Sequence, residues 1–399
     1  MKYAKGKDVN PSQITARLDN GDRAARWNFA GPAGRCLWAD ARTGAACLST
    51  GAGIERQWDG PLAALDWMAR TPIEAGTRWI GYLSYDLGRR FENLPNHAVD
   101  DLGLPLFVFT LHGERNAQHS TLDAQRPTKE RSIRSNFTRG EYESAVAGVI
   151  EYIRAGDVFQ VNLSQRFTVA TADASATIYS RLPPANFGAF LDYGDFALLC
   201  NSPELFFRVT PDRKIVTRPI KGTRLFSDGM DRQLRESVKD QAELNMIVDL
   251  ERNDLGRVCS IGSVKVIEPR VIEAHHTVYH GVAGIEGRLR EDVGFVDILR
   301  AMFPGGSVTG APKIRAMQII DELEGIRRGP YCGAIGYLAA DGTMEFNVAI
   351  RTMIAQDGRV HVPVGGGIVA DSEPREEYEE TLVKAKTMFA ALGAELPHS

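Results

Sequence analysis

The strongest constraint on the fold is the order of strand-like and helix-like runs through the middle of the chain. Strand-like stretches recur near residues 158–164, 196–209, 214–217 and 346–354, with helical runs placed among them out of strict alternation. A doubly wound parallel sheet requires strand and helix to alternate, so this order predicts an α+β architecture. With 399 residues, 43% of them apolar and 25% charged, the chain can build a sizeable core in one large domain or two ordinary ones.

Residues 1–115 mix short strands and turns, and Trp79-Ile80-Gly81-Tyr82-Leu83-Ser84-Tyr85 is the clearest strand among them. Asn116 to Ser135 is polar and charged, which predicts a connecting segment over 116–137 and places the rest of the fold over 138–395. A net charge of −4 gives no electrostatic reason for nucleic acid or an anionic membrane as partner. The first residues hold no apolar run and no stretch approaches membrane-spanning length. The five cysteines (Cys36, Cys47, Cys200, Cys259 and Cys332) are scattered without metal-type spacing. A reducing, cytoplasmic setting is the expectation.

Local signals place the remaining elements. Thr138 and Glu141 form a capping box at the head of an apolar-striped helix that Gly156 ends. Val158 to Ser164 alternates with period two, so Gln160, Asn162 and Ser164 share one face, whose burial and exposure the pattern leaves equally open. Asp231 to Asp254 reads as one helix with Asp240 and Glu243 on the same face. A last helix from Pro374 aligns Glu377, Glu380 and Lys384 on one side, with Leu382, Ala385, Met388, Phe389 and Leu392 toward a core.

Several of these residues suit chemistry. Thr217 to Arg224 reads as a basic turn after a strand, with Lys221 between Ile220 and a glycine that admits close approach of a ligand. A partly desolvated lysine can act as a nucleophile, although most lysines are simply solvated. Acidic residues on two helices would make an all-oxygen site for Mg²⁺ if the helices face each other; solvated faces with weak ion pairs are the commoner outcome. Gly365-Gly366-Gly367 after a strand would offer an anion-binding nest, and Arg351 on a strand over 346–354 could complete a carboxylate site. Gly305-Gly306-Ser307 lacks the ending of a phosphate-binding P-loop. One of His275 and His276 could polarise a substrate oxygen, and a structural role is as reasonable.

Taken together, Pro219-Ile220-Lys221-Gly222-Thr223, Met246 to Leu250 with Arg252-Asn253-Asp254, Gly310-Ala311-Pro312-Lys313, and Gly365 to Ser372 resemble the chorismate-utilising enzymes. The resemblance is close over residues 140–390 and looser around Gly81 to Arg89. It implies a four-layer α/β/β/α sandwich of the anthranilate synthase component I type, with its cleft between the sheets. It also implies Mg²⁺ at Glu243 and Glu380, supported by Asp240 and Glu377, and a pocket lined by His276, Ser307, Tyr331, Arg351, Gly365, Gly366, Gly367 and Lys384. Glu204 matches the general acid for the departing hydroxyl at carbon 4.

Two positions divide that family by reaction. Relatives that add water at carbon 2, the isochorismate and salicylate synthases, carry a lysine base where this chain has Gln160. Anthranilate synthases carry alanine where this chain has Lys221, and the lysine version resembles the branch that aminates carbon 4 to give 4-amino-4-deoxychorismate for 4-aminobenzoate and folate. In that branch the lysine adds at carbon 2 before ammonia displaces it. The turn after Lys221 departs from the family pattern, and the sequence holds no glutamine amidotransferase module, so the resemblance implies ammonia from a separate partner or from solution. Anthranilate synthase and a catalytically idle chorismate-binding subunit are the alternatives.

Overall fold

The computed structural model describes residues 15–19, 26–30, 34–113, 132–275 and 278–397. Most of the expected connecting segment, and His276, lie outside the described residues. Two large sheets organise what is described, and every ladder between their strands is antiparallel.

One sheet runs in the order Gly310–Ala311, Gln160–Ala170, Arg359–Ile368, Thr352–Gln356, Phe196–Ser202, Phe187–Asp192, Thr15–Asp19 and Arg26–Ala30. The other includes Ile220–Leu225 and Lys214–Arg218 beside Val278–Arg288, then Leu205–Val209, Met344–Val348, Ala334–Ala339 and Thr77–Leu83. Strands from the first hundred residues therefore enter both sheets and pair with strands from much later in the chain.

The apolar residues sort into three layers of core. Helices Arg139–Arg154, Lys313–Leu323 and Pro374–Leu392 bury Val146, Ile320, Leu382 and Phe389 against the first sheet. Helices Pro61–Arg70, Val238–Gly256 and Phe295–Met302 bury Leu65, Leu244 and Leu299 against the second. A third cluster, including Trp38, Ile80, Tyr82, Leu198 and Ile354, fills the space between the sheets. Helix layer, sheet, sheet, helix layer is the expected four-layer sandwich.

The helix signals act where the sequence places them. Thr138 Oγ1 accepts from the Glu141 N–H while Glu141 Oε2 accepts from the Thr138 N–H, and Gly156 takes a φ of 83° just past the end. The run expected as one helix over 231–254 is two, Met230–Glu236 and Val238–Gly256. Ser237, extended at φ −67° and ψ 110°, breaks it and caps the second by accepting from the Asp240 N–H.

Two crossovers matter most for function. The chain leaves the first sheet at Ser202 and enters the second at Leu205, with Pro203 and Glu204 between. It returns from Val348 to Thr352 through Ala349, Ile350 and Arg351. Residues 346–354 are therefore two strands of different sheets, and Arg351 sits in the passage with a φ of 49° instead of within a strand.

Candidate active site

The basic stretch around Lys221 is a strand with a defect, not a turn. Lys214–Arg218 and Ile220–Leu225 run in one register along Val278–Arg288, interrupted at Pro219, which has no N–H to give the ladder. The register then slips between Lys221 and Thr223, where Gly222 takes a φ of 79°. That bulge re-aims the strand beside Lys221. Gly222 is also sterically required, since a Cβ there would lie 2.9 Å from Cγ of Asp240.

Gly365, Gly366 and Gly367 lie inside the strand Arg359–Ile368, paired with Ser164, Leu163 and Asn162, and none has a positive φ. They do not form the expected nest, which needs a left-handed residue. Their missing side chains open two hollows on opposite faces. A Cβ on Gly366 would lie 3.2 Å from Glu377 Oε2, 3.5 Å from Lys384 Nζ and 3.7 Å from Glu380 Oε1. A Cβ on Gly367 would lie 3.0 Å from Gln160 Nε2 and 3.2 Å from Lys221 Nζ. The bare strand thus brings Glu377, Glu380 and Lys384 on the helix side close to Lys221 and Gln160 on the inter-sheet side.

Electrostatics couple these groups. Burial pulls the Lys221 amine below its usual pKa; Glu243, Glu204 and Glu380 oppose this, while Lys384 adds to it. Glu204 is 4% exposed, and burial pushes its carboxyl up to about 7 against the Ser307 hydroxyl, Lys221, the Ile220 N–H and Arg351. Desolvation lowers the Arg351 guanidinium, with Glu204 the opposing charge. The loop Gly306–Val308 presents Ser307, whose buried Oγ lacks a hydrogen bond of normal geometry. Tyr331 is buried in the adjacent core, where desolvation raises its phenol well above the ordinary range.

The acidic residues stand on two helices, Glu243 on Val238–Gly256 and Glu377 and Glu380 on Pro374–Leu392, and Glu243 and Glu380 influence each other electrostatically. Burial raises the carboxyls of Glu243 and Glu377, and Glu380 raises both further. Glu380 itself is lowered by Lys384, whose Nζ stands 2.7 Å from Oε1 and also donates to the Gly365 carbonyl at 2.9 Å. Glu377 accepts from the Ser372 hydroxyl at 2.6 Å, and Asp240 is held by Arg224 at 2.8 Å. Among the described residues no three acidic, histidine or cysteine side chains converge on one point. The donors suit a hard cation that uses one or two carboxylates and fills its other positions with water and substrate, which is the behaviour of Mg²⁺.

The face shared by Gln160, Asn162 and Ser164, left open by the alternation, is buried. Val161 and Leu163 face the helices on the other side, so the strand is covered on both faces. Ser164 Oγ donates to Glu324 at 2.7 Å, while Asn162 Oδ1 and both side-chain atoms of Gln160 lack partners. Glu251 was not singled out in the sequence. It is buried one helical face along from Glu243, accepts from Thr217 Oγ1 at 2.7 Å, and burial raises its carboxyl to about 8. Its position in a charged run, Asp249 to Asp254, gave no sign of burial.

The chain as a whole is similar to several known proteins. The family model described as chorismate binding enzyme matches residues 23–390. The chain is 43% identical over 354 residues to aminodeoxychorismate synthase component 1 of Salmonella typhimurium, covering 80% of this chain and 77% of that protein. It is 45% identical over 273 residues to anthranilate synthase component 1 of Pseudomonas aeruginosa, covering 66% of this chain and 55% of that one. Among solved structures, anthranilate synthase component I from Streptococcus pneumoniae superposes with a TM-score of 0.77 at 29% identity, over 96% of this chain and 93% of that chain. The isochorismate synthase MenF of Escherichia coli shares the fold, with a TM-score of 0.67 at 18% identity over 97% and 96% of the two chains.

Proposed function

The chain belongs to the chorismate binding enzyme family, and from that membership we propose that it aminates chorismate at carbon 4, forming 4-amino-4-deoxychorismate. The observation that carries this reading is the pairing of Lys221, an amine depressed by burial, with Glu204, a carboxyl raised to about 7. Nucleophile and acid are tuned in the directions that lysine addition at carbon 2 and protonation at carbon 4 require.

The steps follow from those two groups. The Lys221 lone pair forms a bond to carbon 2, both conjugated ring double bonds shift by one position, and the carbon-4 hydroxyl leaves as water with the Glu204 proton. Ammonia then bonds to carbon 4, both double bonds shift back, and the carbon–nitrogen bond to Lys221 breaks. The surplus ammonium proton returns to Glu204. Arg351, at the crossover, would pair with a substrate carboxylate, and the Ser307 hydroxyl, beside Glu204, would reach the substrate. Tyr331, Lys384 and Gly365 to Gly367 would complete the pocket.

Glu243 and Glu380 would hold Mg²⁺, with Asp240 and Glu377 in support. The ion would supply Lewis-acid withdrawal of electron density through a bound carboxylate. The name component 1 carried by similar proteins supports a separate second component, which we take to be a glutamine amidotransferase that supplies ammonia. No described helix is long and apolar enough to cross a membrane.

Anthranilate synthesis is the second reading, favoured by the similarity to proteins of that name. The deciding experiment incubates the pure chain with chorismate, Mg²⁺ and ammonium. We expect 4-amino-4-deoxychorismate by chromatography, a magnesium requirement, and a Lys221 adduct by mass spectrometry when ammonium is withheld. Direct appearance of fluorescent anthranilate, or binding without turnover, sinks the reading.

A further inference from the structure

Among the described residues, Gln160 alone has two buried side-chain polar atoms without a partner. Its side chain is 0% exposed, yet neither Oε1 nor Nε2 has a hydrogen-bond partner. A buried amide left unpaired costs roughly 1–3 kcal/mol per group, so its retention calls for a partner that arrives later. The residue heads the strand Gln160–Ala170, locked there by pairing with Ala311 and by its own buried backbone. Its amide reaches the hollow that Gly367 leaves open, the same hollow that Lys221 Nζ reaches. Any side chain at 367 would fill the space the two share.

We propose that Gln160 is a positioning residue for the Lys221 amine, a role that rests on the lysine-adduct reading above. A neutral amine has two N–H bonds and one lone pair, and only the lone pair can attack carbon 2. With substrate bound, the Gln160 carboxamide turns its Oε1 toward Lys221 and accepts one N–H, which stops the amine rotating and leaves the lone pair facing the ring. As the bond to carbon 2 forms, Nζ becomes a positively charged secondary ammonium, and the hydrogen bond to Oε1 strengthens. A group that binds the charged state more tightly than the neutral one lowers the barrier to reaching it. The carboxamide does this without taking a proton, because an amide oxygen is too weak a base at neutral pH.

The test uses the whole chain with chorismate, Mg²⁺ and no ammonium, following the Lys221 adduct by rapid quench and mass spectrometry. Gln160→Met keeps the volume and removes the acceptor. It should slow adduct formation by roughly 10–100-fold while chorismate binding changes by less than about threefold, a split that a merely structural role would not give. Gln160→Glu keeps an acceptor but adds a charge beside Lys221, which already faces Glu204, Glu243, Glu380 and Lys384. It should form the adduct well only at higher pH than the wild type, and it decides the matter if Gln160→Met fails to fold. Wild-type adduct rates in Gln160→Met, or a loss confined to the ammonium-dependent step, overturn the proposal. An unmodified wild-type enzyme overturns the adduct reading itself, and this inference with it.

Discussion

The main-chain N–H of Val348 donates to the carbonyl of Glu204 at 3.1 Å, so the two points where the chain passes between sheets are held against each other. The Asn201 N–H donates to the Arg351 carbonyl at 3.0 Å and reinforces the same junction. Acid and guanidinium are thus presented by two crossovers fastened back to back, on backbone anchored at both ends in sheet.

Ser202 pins that junction. Its fully buried Oγ donates to the Val348 carbonyl at 2.6 Å and accepts from the Glu204 N–H at 3.2 Å. Ser202→Ala should cost about 1–3 kcal/mol in urea denaturation, because the buried Glu204 N–H loses its partner and the Val348 carbonyl keeps only the Ile350 N–H. The same variant should lower kcat more than it raises KM, since Glu204 is no longer fixed.

As the proposed acid, Glu204 should set the alkaline limb of activity. With its carboxyl raised to about 7, the acid form is present below that pH and lost above it. Turnover of chorismate should therefore fall as pH rises through about 7, measured in a pH series at saturating ammonia with the fall in ammonium corrected. Glu204→Gln should remove this limb and cost roughly 10²–10⁴ in rate.

Glu324 and Arg328 form a buried ion pair, each 3% exposed, with Arg328 Nε 2.9 Å from Glu324 Oε2. Arg328 also donates to the carbonyls of Val308 and Asn162, which joins the Ser307 loop to the Gln160 strand. Arg328→Met should destabilise the fold by about 3–5 kcal/mol, because it leaves Glu324 charged and buried with only the Ser164 N–H and hydroxyl donating to it. In a double-mutant cycle, adding Glu324→Leu should recover much of that loss.

Glu251 should make stability pH-dependent. Its folded pKa is raised to about 8 above the ordinary carboxylate value, so the native state binds the extra proton. Its stabilising contribution is therefore full in acid and declines between about pH 4.3, the unfolded value, and pH 8. Glu251→Gln cannot ionise and should flatten that decline, raising Tm more at pH 8.5 than at pH 5. Equal changes at both pH values would show that Glu251 titrates normally.

Much of the molecule was legible because its signals are local. The capping box at Thr138, the stop at Gly156 and the apolar stripe of the last helix each need only neighbouring residues to act. The crossovers were not legible, because Phe346 to Ile354 keeps a strand-like pattern straight through the passage and only its pairing partners reveal two sheets. Gly365 to Gly367 suggested a turn for the same reason, since a ladder with Asn162 to Ser164 cannot be read from glycine alone. Motifs brought Lys221, Glu204 and the acids of two helices to attention together, yet their separation across a bare strand, and the idle amide of Gln160, belong to tertiary geometry. Ser237 was legible as a cap in principle, and the helical propensity on either side of it hid the break.

The interleaving of early and late strands has a consequence for synthesis. Thr77–Leu83 pairs early with Phe107–Gly113 and Gln160–Ala170 with Ile133–Ser135, but their other edges wait for Ala334–Ala339 and Arg359–Ile368. A ribosome making this chain must therefore release nearly all of it before a working pocket can close. Until then, apolar strands keep an open edge, and nascent copies would depend on chaperones to keep those edges from finding one another.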